Sequence, residues 1–376
     1  MDIFEKIAEK LVPDKFKREL VFLIVFAAGV ALAVLGLIIQ YVIGTIMFIL
    51  GLIAGIFGGI EYFKFYKGRY LKIQPGTTEI PDEKYKGKSL VEVVIPDSVT
   101  RIGKSAFEGC ENLTTINLPD GITKIEDRTF SGCFKLRYIN IPYGVTEIGM
   151  SAFGNCGFFH ITIPDSVTKI GAVAFGYCSD LEKINIPSGV TEIDAYTFCN
   201  CKNLSEIELP DTIESIGVEA FNECKALKCQ LPKNLKCIGE KAFYMCFSLE
   251  ELTIPAGVEE IPQQAFSACG IKVLNIPGSV KKIESNAFSV CQKLTKINIE
   301  EGLKVIQGCA FAGCKSLETV ELPKSVEKID DYAFYKCSSL QEIYIPNTEC
   351  ELGENIIAET PLAEKLIKEA EEKSEN

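Results

Sequence analysis

Histidine and tryptophan are almost missing from this chain of 376 residues, which has one histidine, His160, and no tryptophan. A catalytic nucleophile needs a base within hydrogen-bonding reach, and histidine is the usual one. The sequence also lacks a GxSxG nucleophile elbow and a GxxxxGK[ST] phosphate loop. We therefore predict that the protein is not an enzyme and binds no cofactor, and we interpret His160 as a polar surface residue.

Basic residues are outnumbered by acidic ones beyond the first 72 positions. The net charge is −12, and residues 1–72 hold nine Lys and Arg against six Asp and Glu, so the remainder carries −15. A protein that binds DNA or RNA needs a basic stripe to neutralise phosphates. The acidic remainder therefore predicts no nucleic-acid partner.

Charged residues are missing altogether from residues 20–39, and a second uncharged run extends from 42 to 60. A helix needs about 20 apolar residues to cross the hydrocarbon layer, whereas one helix of 40 residues would reach roughly 60 Å. The pattern predicts a transmembrane helical hairpin over residues 20–62, with one long signal-anchor as the alternative. A cleaved signal peptide is disfavoured because its apolar region spans only about 7–15 residues.

Both flanks of this hairpin are basic, with Lys15, Lys17 and Arg18 before it and Lys64, Lys67 and Arg69 after it. Positive residues stay on the cytoplasmic side, so both ends of the hairpin, and the rest of the chain, are predicted to be cytoplasmic. Residues 1–19 are interpreted as an amphipathic segment. In the second span Gly51, Gly55 and Gly59 form overlapping GxxxG patterns, which would pack the two arms together or mediate self-association.

Phenylalanine, by contrast, recurs at a fixed interval. Eleven phenylalanines follow one another at steps of 22 or 23 residues, and each is followed three residues later by a cysteine. A period of this length is typical of a solenoid, in which each repeat buries its apolar face against its neighbours. The phenylalanines are Phe107, Phe130, Phe153, Phe175, Phe198, Phe221, Phe243, Phe266, Phe288, Phe311 and Phe334.

Each repeat is best numbered from a proline, for example Pro119 in the unit LTTINLPDGITKIEDRTFSGC. Apolar residues at −3 and −1 alternate with outward residues at −4 and −2, which predicts a strand that ends at the proline. Apolar residues at +3 and +6 predict a second extended segment, and the AFxxC segment from +10 to +14 is interpreted as a short helical turn. The sequence therefore predicts a leucine-rich-repeat solenoid with parallel strands and short helical turns.

The repeats cover residues 73–360, about twelve coils with degenerate first and last coils, and residues 361–376 are predicted to form an acidic capping helix or tail. The consensus sequence of the repeats, LxxIxIPxxVxxIgxxAFxgC, closely resembles that of the BspA-type leucine-rich repeat family. That resemblance implies a protein-binding solenoid, often adhesive, found in surface and secreted proteins. The predicted uncleaved hairpin departs from the family pattern, so the resemblance leaves the side of the membrane open.

Most of the sixteen cysteines belong to the repeat. Eleven occupy position +14, and Cys229 fills a −3 position that is usually isoleucine, so these twelve are predicted to be buried. Stacked, parallel Cβ vectors disfavour disulfides, and the sequence therefore predicts a reduced ladder of thiols. The other four are Cys199, Cys237, Cys309 and Cys350, and they do not supply the four ligands of a zinc site.

The outward residues at −4 and −2 of successive coils are predicted to align into a strip on the strands. Solenoids use such extended faces to bind partners, so this strip is the candidate site for a protein ligand. The leading interpretation is a membrane-anchored scaffold, and the alternative is an outward-facing adhesin that binds host or extracellular proteins. The strip comprises Tyr138, Asn140, His160, Thr162, Lys183, Asn185, Glu206, Glu208, Asn275, Asn298 and Tyr344.

Overall fold

Thirteen stacked coils form most of residues 69–374, the part of the chain that the computed structural model describes. The predicted amphipathic segment, the transmembrane hairpin and the GxxxG glycines lie outside these residues. Within residues 69–374 no helix has both the length and the apolar character needed to span a bilayer. Each coil carries one turn segment and one short strand after the proline position, and eleven of the thirteen also carry a strand before it. The thirteen coils compare with about twelve predicted.

The first strands end one to three residues before the proline position, and the neighbouring strands that pair do so in parallel and in register. Ile184, for example, lies opposite Ile207, so identical repeat positions stack. These strands are β1 (Tyr70–Lys72), β3 (Glu92–Val94), β5 (Thr115–Ile116), β8 (His160–Ile161), β10 (Lys183–Asn185), β12 (Glu206–Glu208), β15 (Glu251–Thr253), β17 (Val273–Ile276), β19 (Lys296–Ile299), β21 (Thr319–Glu321) and β23 (Glu342–Tyr344).

The second strand of each coil occupies positions +5 and +6, and the apolar residue at +6 is buried in every coil but the last, where Leu352 is 55% exposed. It corresponds to the predicted second extended segment. These strands are β2 (Glu79–Ile80), β4 (Arg101–Ile102), β6 (Lys124–Ile125), β7 (Glu147–Ile148), β9 (Lys169–Ile170), β11 (Glu192–Ile193), β13 (Ser215–Ile216), β14 (Cys237–Ile238), β16 (Glu260–Ile261), β18 (Lys282–Ile283), β20 (Val305–Ile306), β22 (Lys328–Ile329) and β24 (Glu351–Leu352).

The AFxxC segment is a run of turns, so its interpretation as a helical turn is wrong. Residues at +9 and +13 of every coil have positive φ, between 52° and 75°. As a result alternate N–H groups point to the next coil: Phe107 N donates to Thr129 O at 2.9 Å, while Cys110 N bonds back to Phe107 O at 3.1 Å. A helix would direct every N–H along its own axis, whereas this geometry hydrogen-bonds neighbouring coils together.

The core is a column of phenylalanine rings. Consecutive rings from Phe107 to Phe334 stack at centroid distances of 5.2–5.8 Å with planes within 17° of parallel. Tyr85 continues the column in the first coil, 5.4 Å from Phe107. All eleven phenylalanines are fully buried, so the repeat period places one large apolar side chain at the centre of each interface between coils.

The cysteine at +14 has a polar role as well as an apolar one. In each of the eleven coils its thiol donates to a carbonyl of the preceding coil, as Cys224 Sγ does to Phe198 O at 3.0 Å. All eleven are free and buried, as the sequence predicts. Cys229 is free but only partly buried. Alanine would lose both this bond and the volume of the sulfur, which gives a physical reason for cysteine at the position.

The last coil is followed by helix α1 (Pro361–Ser374). Thr360 caps it, because its hydroxyl accepts a bond from Ala363 N at 3.1 Å, and a proline at the first helical position suits the fixed backbone there. Leu362 is buried against the end of the solenoid, and its N–H donates to Leu340 O. The helix therefore covers part of the last coil with its first turn.

Candidate protein-interaction surface

The strand face consists of the side chains at −4 and −2 of the first strands. The alternation of exposed and buried residues along β10 and β12 shows that these positions face solvent while −3 faces the core. Ten of the eleven candidate residues are exposed, and Asn275 is half-buried. The structure therefore places all eleven on one surface, as successive positions of a nearly continuous column.

Several of these side chains already bond to each other or to the backbone. Asn185 clamps the preceding coil, because its Oδ1 accepts from Ile163 N at 2.8 Å and its Nδ2 donates to Ile163 O at 2.7 Å. Asn117 clamps Ile95 in the same way. Asparagine at −2 thus has a structural use at these two coils: it satisfies backbone groups that strand pairing leaves open.

Other side chains of the strand face form ion pairs or amide hydrogen bonds with the neighbouring coil. Lys183 Nζ lies 2.8 Å from Glu206 Oε2, and this hydrogen bond lowers the pKa of the Glu206 carboxyl. Asn298 Nδ2 donates to Asn275 Oδ1 at 2.6 Å. Such fully exposed pairs add little to stability, but they hold the side chains in fixed rotamers. The face therefore presents an ordered polar surface.

The two tyrosines of the strand face are highly exposed to solvent. Tyr138 is 72% exposed and Tyr344 is 64% exposed. Tyrosine and arginine dominate binding energy at protein interfaces because they bury a large area and retain a polar end. These two side chains are the strongest individual contact candidates on the face.

Around Tyr138 the structure reveals a cluster of side chains, three of which the predicted strip did not include. We call the side chains of Phe134, Arg137, Tyr138, Phe159 and His160 the aromatic patch; they lie on consecutive coils. The Arg137 guanidinium sits 4.5 Å from the centre of the Phe159 ring and 3.8 Å from Asp180. Phe134 and Phe159 are 46% and 41% exposed. A cation on an aromatic ring beside a tyrosine is a typical protein-binding composition.

A shortened coil produces this cluster. The segment from Cys156 to Phe158 is one residue shorter than in most repeats, with Gly157 in place of two residues. A Cβ on Gly157 would lie 2.2 Å from Phe134 O, so only glycine permits the two coils to approach. The sequence signal was available as C-G-F in place of C-x-x-L, but its surface consequence depends on the packing of two coils.

The strand face is also interrupted at two coils. Residues 138–141 form no ladder with either neighbour, and the segment around Cys229 is joined to the strand face only by a bridge between Glu206 and Lys228. The second interruption opens into a groove of about 610 Å³, with Ile207 and Leu249 among its apolar lining residues and Glu208, Lys228, Gln230 and Glu251 among its polar ones. Cys229, at a position that is usually isoleucine, also lines this groove.

Burial makes several of the thiols poor nucleophiles. Burial raises the pKa of Cys178 to about 12 and that of Cys229 to about 12, because the thiolate would lose its hydration. Among the cysteines of residues 69–374, Cys237 is the one with an exposed side chain. Residues 69–374 contain no group of three or more His, Cys, Asp or Glu side chains arranged to hold a metal ion.

Comparisons with known proteins match this architecture. The family model for the BspA type leucine rich repeat region, in six copies, matches residues 59–182, 168–292 and 259–373. A solved leucine-rich repeat protein from Bacteroides ovatus is 28% identical, with 79% of this chain and 86% of that chain covered and a TM-score of 0.65. One from Eubacterium ventriosum is 26% identical, covering 78% and 89%, with a TM-score of 0.50. No curated protein matches the chain.

The family match covers most of the chain, including every coil of the solenoid. Leucine-rich repeat proteins of this kind are interaction scaffolds or surface proteins, and the parallel-strand solenoid agrees with that class. The chain belongs to the family of proteins with the BspA-type leucine-rich repeat region.

Proposed function

We propose that this protein is a membrane-anchored scaffold that binds a protein partner through its strand face. The observation that carries the proposal is the exposure of Tyr138 and Tyr344 on a face whose neighbours are fixed by hydrogen bonds and ion pairs. An ordered face loses little side-chain entropy on binding, and exposed tyrosines supply contact area. The partner is a protein, because the acidic solenoid repels nucleic acid.

The partner-binding part is tested by affinity capture with a matched set of single variants. Tyr138→Ala and Tyr344→Ala should each weaken retention of a specific partner, since each removes an exposed contact side chain. Tyr332→Ala is the control, because Tyr332 is also exposed, at 39%, but lies in the turn segment away from the strands. Equal loss with all three variants, or with none, would argue against the strand face as the binding surface.

The anchoring part depends on the uncharged residues 20–62 and on their basic flanks. They support a two-span hairpin with the solenoid on the cytoplasmic side. Extraction of membranes with carbonate should leave the chain in the pellet, and deletion of residues 20–62 should release it. A chain that is extracted intact by carbonate would refute the anchor while leaving the scaffold proposal untouched.

The exposed Cys237 offers a direct test of the side of the membrane. A membrane-impermeant maleimide should label it only after lysis if the solenoid is cytoplasmic, and Cys237→Ser should lose that labelling. Labelling in intact cells would instead favour the outward-facing adhesin. The ladder thiols should not contribute, because all eleven are buried and out of reach of the reagent.

A further inference from the structure

The coil around Cys229 is one residue short in the segment that crosses the strand face. In the other coils from Leu90 onward the apolar residues at −6 and −3 are three positions apart, as Leu204 and Ile207 are, whereas Leu227 and Cys229 are two positions apart. An extended residue spans about 3.3 Å, so this segment falls short of the usual path by that length. No strand precedes the proline of this coil. The deletion therefore removes one strand from the middle of the strand face.

The strands on either side of this coil keep open edges. Among residues 69–374, β12 forms a ladder with β10 alone, and β15 forms one with β17 alone. Apart from the bridge at Lys228, the sides of β12 and β15 that face each other across the groove form no backbone pairing. Two strand spacings, about 10 Å, lie between these strands. Open edges of this kind present N–H and C=O groups with which an extended chain can pair.

One backbone donor on the open edge of β15 can be named. At −4 of five coils the N–H donates to a carbonyl of the preceding coil, as Glu206 N does to Glu182 O at 3.0 Å. Glu251 occupies the same position in β15, and its N–H makes no such bond with any group of residues 69–374. Strand β15 thus directs an unpaired donor toward the groove, where the main chain of an added strand would satisfy it.

The side chains around the groove suit an extended chain of alternating composition. Side chains of a strand point alternately to the two faces of a sheet. In this groove one set would point inward, toward the apolar Ile207 and Leu249. The other set would point outward, beside Glu208 and Glu251, which are exposed positions of the strand face. The groove of about 610 Å³ lies within the usual size range of ligand sites.

The charge around the groove is negative. Glu208 and Glu251 are exposed, and neither forms an ion pair with another side chain of residues 69–374. Glu250 also lines the groove but is paired with Lys272 at 2.8 Å, and Lys228 is the single cation among the lining residues. Two unpaired carboxylates therefore face one ammonium group, on a solenoid that already has an excess of acidic residues. This balance favours a segment with basic side chains.

We propose that an extended segment of a partner protein, with alternating basic and apolar side chains, binds in this groove as an added strand on the edge of β15. The inference rests on the proposed use of the strand face for binding and names the chemistry of the partner. The main chain of the segment accepts a hydrogen bond from Glu251 N, its basic side chains lie beside Glu208 and Glu251, and its apolar side chains contact Ile207 and Leu249. In strand addition the main-chain bonds supply affinity and the alternate side chains supply specificity.

The test measures binding of a fluorescent KVKVKV peptide to the full chain in detergent by fluorescence anisotropy. Glu208→Lys with Glu251→Lys should raise the dissociation constant about tenfold or more, because like charges then oppose the peptide. Glu321→Lys with Glu342→Lys is the matched control and should leave the dissociation constant unchanged, since it makes the same change of charge at exposed positions of the same face. Equal weakening by both pairs, or no binding to the wild-type chain, would overturn the proposal.

Backbone pairing is tested with two N-methylated forms of the peptide. Alternate N–H groups of an added strand face its neighbour, so methylation at every lysine or at every valine removes the donors of one edge only. One form should bind about tenfold more weakly or worse, and the other should bind like the parent peptide. Equal affinity of the two forms would mean that the peptide does not bind as a strand, and would refute the inference.

Restoring the missing residue gives an independent test. Insertion of one threonine between Leu227 and Lys228 returns the positions −6 and −3 to the usual spacing, so this coil regains the length to complete the strand face and to pair with β15. The insertion should abolish peptide binding, and retained binding by a folded insertion variant would contradict the proposal. The carboxylates of Glu208 and Glu251 are exposed, so the charge variant keeps the fold even if the insertion variant loses it.

The same peptide separates this inference from the proposed function. Tyr138→Ala and Tyr344→Ala should leave the affinity for KVKVKV unchanged, because both side chains lie at least three coils from the groove. If the wild-type chain fails to bind the peptide while Tyr138→Ala still loses the captured partner, strand addition is refuted and the scaffold remains. If the groove variants lose the peptide while capture is insensitive to both tyrosines, the groove is supported and the tyrosine contacts are refuted.

Discussion

The phenylalanine column allows a quantitative prediction at its centre. Phe221 belongs to the seventh of thirteen coils, is fully buried, and stacks on Phe198 at 5.3 Å and on Phe243 at 5.2 Å. Truncating a buried phenylalanine to alanine costs about 3–5 kcal/mol, through lost transfer energy and the cavity that remains. The rigid backbone ladder around this ring limits collapse of the cavity, so we expect Phe221→Ala to cost about 4 kcal/mol.

Phe221→Leu separates ring stacking from simple burial. Leucine retains most of the apolar volume but removes two ring pairs, each of which contributes about 0.5–1.5 kcal/mol beyond area. The expected cost is therefore about 1–3 kcal/mol, between those of wild type and alanine. Because each coil contacts only its neighbours, the alanine variant should also uncouple the six coils on either side and broaden the transition.

The assay is urea unfolding at equilibrium, followed by circular dichroism, on the compact unit that starts at Tyr70. The variants should lower the free energy of unfolding in the order alanine, then leucine, and Tyr344→Ala should stay within about 0.5 kcal/mol as a surface control. A loss below about 1 kcal/mol for the alanine variant would refute the reasoning, because it would mean that the column does not carry the interface between coils.

Three further predictions concern the turn ladder, the thiols and the asparagine clamp. Val290 has φ 61°, so Val290→Gly should raise the free energy of unfolding by up to about 1 kcal/mol, whereas Gly109→Val should lower it by about 1–2 kcal/mol, both measured by urea unfolding. Burial raises the pKa of Cys178 from 9.0 to about 12, so its contribution is complete below pH 9 and is lost as the pH rises. Cys178→Ala should therefore flatten the decline of stability above pH 9 by up to about 1.4 kcal/mol per pH unit in an alkaline titration of unfolding. Asn185→Asp removes one clamp donor and should cost about 1–3 kcal/mol, while Asn140→Asp should be nearly neutral when thermal melts are compared.

The sequence predicted the parts of the fold that depend on which side chains stack. A period of 22 or 23 residues places Phe198 over Phe221 whatever the backbone does in between, so burial of the phenylalanines and cysteines follows from spacing alone. The outward direction of Lys183 and Asn185 follows in the same way from the alternation of a strand.

The turn segment was mispredicted because its residues at +9 carry no sequence signal for positive φ. Residues as different as Val173, Tyr196 and Cys309 all adopt positive φ at +9, although such residues rarely do so. Hydrogen bonds to the next coil stabilise that conformation, and these bonds exist only when the coils are stacked. Local propensity is therefore overridden by contacts 22 or 23 residues away.

The candidate surface likewise combines features that the sequence predicts with features that only the tertiary structure shows. The sequence by itself determined the scaffold, the family and the column of outward residues that includes Tyr138, because a repeat fixes register and register fixes which side chains face solvent. Only the tertiary structure decided that Asn185 is a clamp and that Arg137 lies over Phe159. Those facts depend on distances between neighbouring coils, which one shortened segment at Gly157 can change and no periodicity encodes.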